Sequence, residues 1–146
     1  MSYDLRFAAT AEAVVDDEHD DDENEWDDEE SDDPPAPDSW ERVVARAAGV
    51  LDDQVDGLAG ADGELTHASG LQLIAYADRA EMSIPYHYAD RAADVIRTLY
   101  GIAAIVEQEL GLVGYDPQVD ALTSTVEPDL RRPIEAYTRV ASMFAR

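Results

Sequence analysis

Between Asp16 and Asp33 the chain reads DDEHDDDENEWDDEESDD, and this run constrains everything around it. Such a block has too little apolar surface to offset the entropy of ordering it, and its like charges repel one another. It is expected to be disordered, followed by a stiff hinge at Pro34-Pro35-Ala36-Pro37. The chain then divides into an N-terminal strand (1–15), a disordered acidic and proline-rich insertion (16–37) and a main domain (38–146). Ser2 to Ala9 sets Tyr3, Leu5 and Phe7 against Ser2, Asp4 and Arg6, the period-two pattern of a strand. A strand placed before the acidic run makes that run an internal loop rather than a free tail.

The rest of the charge follows the same division. The 146 residues are enough for one domain and carry 34 acidic against 10 basic side chains, a net charge of -24. Every basic residue is arginine. Residues 1–33 hold sixteen acids and Arg6, for a net of -15, and residues 34–146 hold eighteen acids and nine arginines, for a net of -9. A field of this sign repels phosphate backbones and anionic lipid, so direct nucleic-acid binding and electrostatic membrane anchoring are not expected. The chain has no cysteine, which removes disulfides, thiolate metal sites and cysteine nucleophiles together. No apolar run approaches the roughly 18 residues of a membrane span. No basic region followed by an apolar stretch marks a secretory signal, and the cytoplasm is the expected compartment.

Past the insertion, periodicity alternates between the two regular types. Asp38 or Ser39 can cap a helix, with Glu41 in capping-box spacing. Trp40, Val43, Val44, Ala47, Val50, Leu51 and Val55 form its apolar stripe, and Gly57 is the expected stop. Gly60 to Gly63 reads as a turn and Leu71 to Ala77 as a strand, with Leu71, Leu73, Ala75 and Ala77 on one face. Ile84-Pro85-Tyr86 is extended because a residue before proline avoids the helical region. Tyr88 to Leu110 is the strongest helix, striped by Ala92, Val95, Ile96, Leu99, Ile102, Ala103, Val106 and Leu110, and capped by Gly111. At about 1.5 Å per residue it spans roughly 35 Å. Gly101 inside it costs about 1 kcal/mol relative to alanine, which close packing would explain. A short strand at Leu112 to Tyr115 ends in the turn Asp116-Pro117-Gln118. A last helix starts near Pro128 or Pro133, striped by Leu130, Ile134, Tyr137, Val140, Ala141 and Phe144. The pattern predicts a small single-domain α+β sandwich, three amphipathic helices packed on a short sheet.

Four constellations could carry function. His87, Asp90 and Asp94 share one side of the long helix and have the donor types of a divalent-cation site. The plainer account is a solvated face with an Asp94–Arg97 pair, and no metal or other cofactor is expected. His67, Tyr76, Tyr86 and His87 could form a ligand or acid–base pocket, or else pack a strand-to-helix junction. The acidic run lacks the glycine of a calcium loop. Its Asp20, Asp21, Asp22, Glu23, Glu25, Asp27, Asp28, Glu29 and Glu30, with Trp26 as an anchor, suit a basic protein partner, against the alternative of a merely solvating loop. Residues 129–146 carry Arg131, Arg132, Arg139 and Arg146 for a net of +2, so the run could also fold back on its own chain. No catalytic residue is assigned.

The opening Met1-Ser2-Tyr3-Asp4-Leu5 and the later Gly111-Leu112-Val113-Gly114-Tyr115-Asp116-Pro117-Gln118 together resemble a group of small bacterial proteins. These begin with an MSYDL strand and carry a GLxxYDPQ strand and turn, and some look like immunity proteins of polymorphic toxin systems. The match covers about 13 residues. Arg6-Phe7-Ala8-Ala9 replaces the usual aromatic continuation, and the acidic insertion departs from the pattern. The resemblance implies a non-enzymatic protein that neutralises a basic toxin domain by covering it, and it carries over no catalytic residue. A small enzyme or ligand-binding protein with a His/Tyr pocket, and a stress or housekeeping protein with a solvating loop, are the alternatives.

Overall fold

In the computed structural model the described residues are 2–15, 33–51, 59–61, 63–67, 69–86 and 88–144. Seven strands form one sheet: β1 (Ser2–Ala8), β2 (Ala59–Ala61), β3 (Glu64–Thr66), β4 (Gln72–Ala75), β5 (Arg79–Pro85), β6 (Val113–Asp116) and β7 (Ala121–Leu122). Four helices accompany them: α1 (Ala11–Val15), α2 (Pro37–Val50), α3 (Ala92–Leu110) and α4 (Arg131–Phe144). The sheet order is β2-β3-β4-β5-β1-β6-β7 and every pairing is antiparallel. The class is α+β, as the periodicity predicts, with a sheet wider than expected.

The first strand takes the centre of the sheet. All seven residues of β1 pair with β5, from Ser2 opposite Pro85 to Ala8 opposite Arg79, and Arg6 to Ala8 also pair with β6. Since β5 and β6 both run antiparallel to β1, they are parallel to each other, and α3 is the crossover between them. The result is a split β-α-β unit with the N-terminal strand in the gap.

Alternation sorts the sheet into a dry face and a wet one. Tyr3, Leu5 and Phe7 of β1, Ala80, Met82 and Ile84 of β5, Leu73 and Ala75 of β4 and Leu65 of β3 are buried. They join one cluster with Trp40, Val43 and Ala47 of α2, Ile96, Leu99, Ile102 and Val106 of α3, and Tyr137 and Ala141 of α4. The opposite face carries Asp4, Arg6, Gln72, Ile74, Glu81 and Ser83. Val14 of α1 and Tyr115 are buried outside the main cluster.

Several expectations shift. The long helix starts at Ala92 behind a short 3-10 turn (Ala89–Arg91), so its 19 residues span about 28 Å. Gly111 at φ 69° terminates it as predicted. At α2, Pro37 occupies the first turn and Ala36 the cap position without a side-chain bond, so neither Asp38 nor Ser39 caps it. That helix ends at Val50; Val55 and Gly57 lie outside the described residues. Ala77 is exposed beyond the end of β4. The fourth helix opens at Arg131, where Asp129 Oδ1 accepts the Arg131 N–H at 3.2 Å and Glu127 Oε2 accepts the Arg132 N–H at 2.5 Å. Strand β5 was legible as Ala80, Met82 and Ile84 against Arg79, Glu81 and Ser83, yet only its last residues are predicted above.

Candidate functional site

The acidic run is joined to the fold at two fixed places. On one side, Thr10 caps α1, its Oγ1 accepting the Ala13 N–H at 3.0 Å, and Ala13 and Val14 border a cavity of about 380 Å³ with Asp78 and Arg79. On the other side, the Asp33 carbonyl accepts the Ala77 N–H at 2.9 Å. Pro35 is buried, its ring close against Gly63. The second attachment meets the β4–β5 hairpin, whereas α1 packs on β1 and β6 and faces that hairpin across the cavity. At the far end of the expected 16–37 insertion, Asp33 is bonded to Ala77, Pro35 is buried and Pro37 belongs to α2, because proline presets φ for a helical first turn. Asp20, Asp21, Asp22, Glu23, Glu25, Trp26, Asp27, Asp28, Glu29 and Glu30 lie outside the described residues.

Seven arginines of the described part are engaged locally. Arg42 Nε meets Glu109 at 2.7 Å and Arg46 meets it at 3.0 Å, pinning α2 to α3. Both bonds hold the Glu109 carboxyl below the usual range. Arg132 pairs with Glu127 at 2.9 Å. Glu127 is pushed down to about 2, first by the Arg132 backbone N–H it accepts. Arg97 pairs with Asp94 at 3.4 Å, the ordinary i,i+3 contact weighed against the metal site. Arg6, Arg79 and Arg91 lie over the rings of Tyr115, Tyr76 and Tyr88 at 5.2, 4.3 and 5.1 Å.

A second candidate is a cavity of about 300 Å³ where the end of α2, the β3–β4 hairpin, the end of β5 and the start of α3 converge. His67 lines it and is 6% exposed. Its Nδ1 accepts the Ser69 backbone N–H at 3.0 Å and lies 2.8 Å from Ser69 Oγ. That bond assigns the proton of a neutral ring to Nε2. The serine hydroxyl is in turn 3.4 Å from the Leu71 N–H, and His67 and Leu71 share a backbone bond, so the His–Ser contact closes a tight hairpin. Tyr88 donates to the Ser69 carbonyl at 2.6 Å, tying the start of α3 to that hairpin.

Of the four residues of the expected His/Tyr pocket, the three described ones, His67, Tyr76 and Tyr86, lie at separate places. Tyr76 follows the far end of β4 from Leu71, the backbone partner of His67, roughly 16 Å along the strand at about 3.3 Å per residue. Tyr86 packs between Tyr3 and Tyr137, with ring centroids at 6.2 and 5.0 Å, and burial with the nearby Asp4 pushes its phenol up to about 12. His87 lies outside the described residues. Strand geometry separates what composition grouped: Tyr76 and Tyr86 bracket a full hairpin arm. Arg91 and Ser69, which the sequence reading overlooked, take their places at the cavity. Among the described residues no group of three or more His, Asp or Glu side chains could hold a metal ion.

The two motifs behind the resemblance form one buried unit. Tyr3 and Tyr100 donate their hydroxyls to Asp116 Oδ2 at 2.6 and 2.5 Å. Oδ1 accepts the Gln118 N–H at 3.0 Å and its side-chain amide at 2.7 Å. Gln118 also bonds both the N–H and the carbonyl of Asp4, so the YDPQ turn clasps the first strand at both backbone groups. Burial, then the adjoining carboxylate, raises both phenols far above ordinary tyrosine, which fixes them as donors. The Tyr3–Asp116 pair of these motifs, joined by Tyr100 from outside them, thus holds β1, β6 and α3 together. No family model, curated protein or solved structure matches the chain. Among the described residues no helix is long and apolar enough to cross a membrane.

Proposed function

We propose that this protein acts by capture: its acidic run draws in a basic protein partner, most concretely a toxin domain that it neutralises by covering. The observation that carries the reading is that the run is fixed at both ends, through α1 on β1 and β6 and through Asp33 on the β4–β5 hairpin, while seven arginines of the described part are held by Glu109, Glu127, Asp94, Asp78 and aromatic rings. Fourteen carboxylates between Asp16 and Asp33 are thereby tethered to the fold at both ends. Charge concentrated in this way raises association rates by about 10- to 1,000-fold at low salt and gives a steep salt dependence. Within the basic C-terminal stretch Arg132 is already bound by Glu127 at the start of α4, which removes one site from the fold-back alternative. The two motifs that resemble immunity proteins lend support at the level of a shared scaffold, since they build the fold's centre and leave recognition to other surfaces.

The test measures association between this protein and the product of the adjacent gene across a salt series. A companion variant carries Asn and Gln in place of the acids from 16 to 33. The full chain should bind fast at low salt and slow steeply as salt rises, and the variant should be slow and flat. Equal rates and equal salt slopes overturn the steering mechanism. A neighbour that forms no complex, or whose activity survives in the complex, overturns the neutralising role.

A further inference from the structure

We infer that the cavity between the β3–β4 hairpin and the start of α3 binds a small monocarboxylate with an apolar body. Its polar side is built from donors. The Arg91 guanidinium stands at the rim above the Tyr88 ring, 5.1 Å from its centroid, and the buried His67 imidazole and the Thr98 hydroxyl line the same space. Among the described lining residues the carboxylate is Asp94, whose side chain is 78% exposed and already faces Arg97 at 3.4 Å. Leu51, Ile84 and Val95 add apolar surface to the same lining, with Val95 between Asp94 and Thr98 on α3.

A lining that sets one arginine among hydrocarbon sorts ligands by chemistry. A cation would meet Arg91 head-on. A neutral apolar molecule would leave the guanidinium without a counterpart, whereas a carboxylate can take a forked pair of bonds from it. The volume matches about ten waters' share of liquid, which suits a body the size of one ring with a short acid arm. The site is also framed by fixed parts. Tyr88 is held to Ser69, its N–H donates to the Tyr137 hydroxyl at 3.2 Å, and Tyr137 donates to the Pro85 carbonyl at 2.6 Å. A preformed frame lowers the ordering entropy a ligand must overcome. This reading is independent of the acidic run, which attaches at the other end of β4.

The experiment titrates the full chain with phenylacetate, 2-phenylethanol and phenethylamine while following backbone amide resonances. Phenylacetate should give saturable shifts centred on Ser69 and on Arg91 to Thr98, and the alcohol and amine should bind much more weakly. Arg91→Gln, at an exposed position, should weaken phenylacetate by about tenfold or more and leave the alcohol unchanged, since one charge-assisted pair is lost. Val95→Phe, which fills the apolar side, should abolish the shifts, with the remaining spectrum showing that the chain still folds. The proposal is overturned by equal binding of alcohol and acid, by an Arg91→Gln variant that binds phenylacetate as the native chain does, or by no saturable shift within the probe's solubility.

Discussion

Asp116→Ala tests the reasoning about the centre of the fold. The native carboxylate is fully buried and accepts four hydrogen bonds, from Tyr3, from Tyr100 and twice from Gln118. Truncation strands two buried hydroxyls, each costing about 1–3 kcal/mol. It also removes the two Gln118 bonds to Asp116 that brace the turn, worth about 1 kcal/mol net, while it relieves some of the cost of burying a charge. The balance is a loss of about 3–5 kcal/mol, a large part of the roughly 5–15 kcal/mol that holds a domain of this kind together. Urea unfolding followed by far-ultraviolet circular dichroism gives the number directly. The sharper reading comes from adding Tyr3→Phe and Tyr100→Phe to the same chain. Those changes remove the stranded hydroxyls, so the triple variant should regain about 2 kcal/mol over Asp116→Ala, although it has fewer polar groups. A single variant within about 0.5 kcal/mol of native, or a triple variant less stable than the single, refutes the account of two phenols dependent on one carboxylate.

Three further outcomes follow from the packing and the titrating groups. Gly101→Ala should stabilise by about 0.5–1 kcal/mol: a methyl there sits 3.7 Å from Val50, an ordinary contact, so the helix gains propensity without a clash. The same change at Gly114 should cost about 1–3 kcal/mol, because its methyl would lie 2.6 Å from Thr123 Oγ1 and 3.0 Å from Phe7; both are read by thermal or urea unfolding. In alkali, Tyr3, Tyr86 and Tyr100 keep their protons in the fold while the unfolded chain loses them from about pH 10, so stability is full below about pH 10 and falls above it. Three such phenols give a slope of about 4 kcal/mol per pH unit toward pH 12; a stability that stays level from pH 10 to 11 contradicts their burial.

Much of this architecture was readable before any coordinates, for local reasons. Period-two alternation in Ser2–Ala8, the apolar stripe of Ala92–Leu110 and the glycine after it each fall within a few turns of chain, where propensity and pattern act directly. The short strands β2, β3 and β7 were missed because two or three residues carry no usable period, and sheet neighbours alone define them. Asp94 meets Arg97 at i,i+3 on the long helix, the pair weighed against a metal side there, and His87 lies outside the described residues.

The candidate sites divide along the same line. Charge is a property of composition, so the acidic run and its expected partner chemistry stand in the sequence itself. Convergence is a property of the fold. Tyr76 and His67 lie only nine positions apart, yet one strand holds them at opposite ends, whereas Ser69 and Arg91 are brought to one cavity by a hairpin and a helix start. Likewise, Tyr3 and Asp116 stand 113 residues apart, and only the placing of β1 between β5 and β6 turns two short motifs into one buried network. The sequence by itself determined the element types and the sign of the surface, because these depend on near neighbours and on charge count. Tertiary structure alone decided which polar groups share a buried site, because that depends on strand order and register, which bring distant residues together.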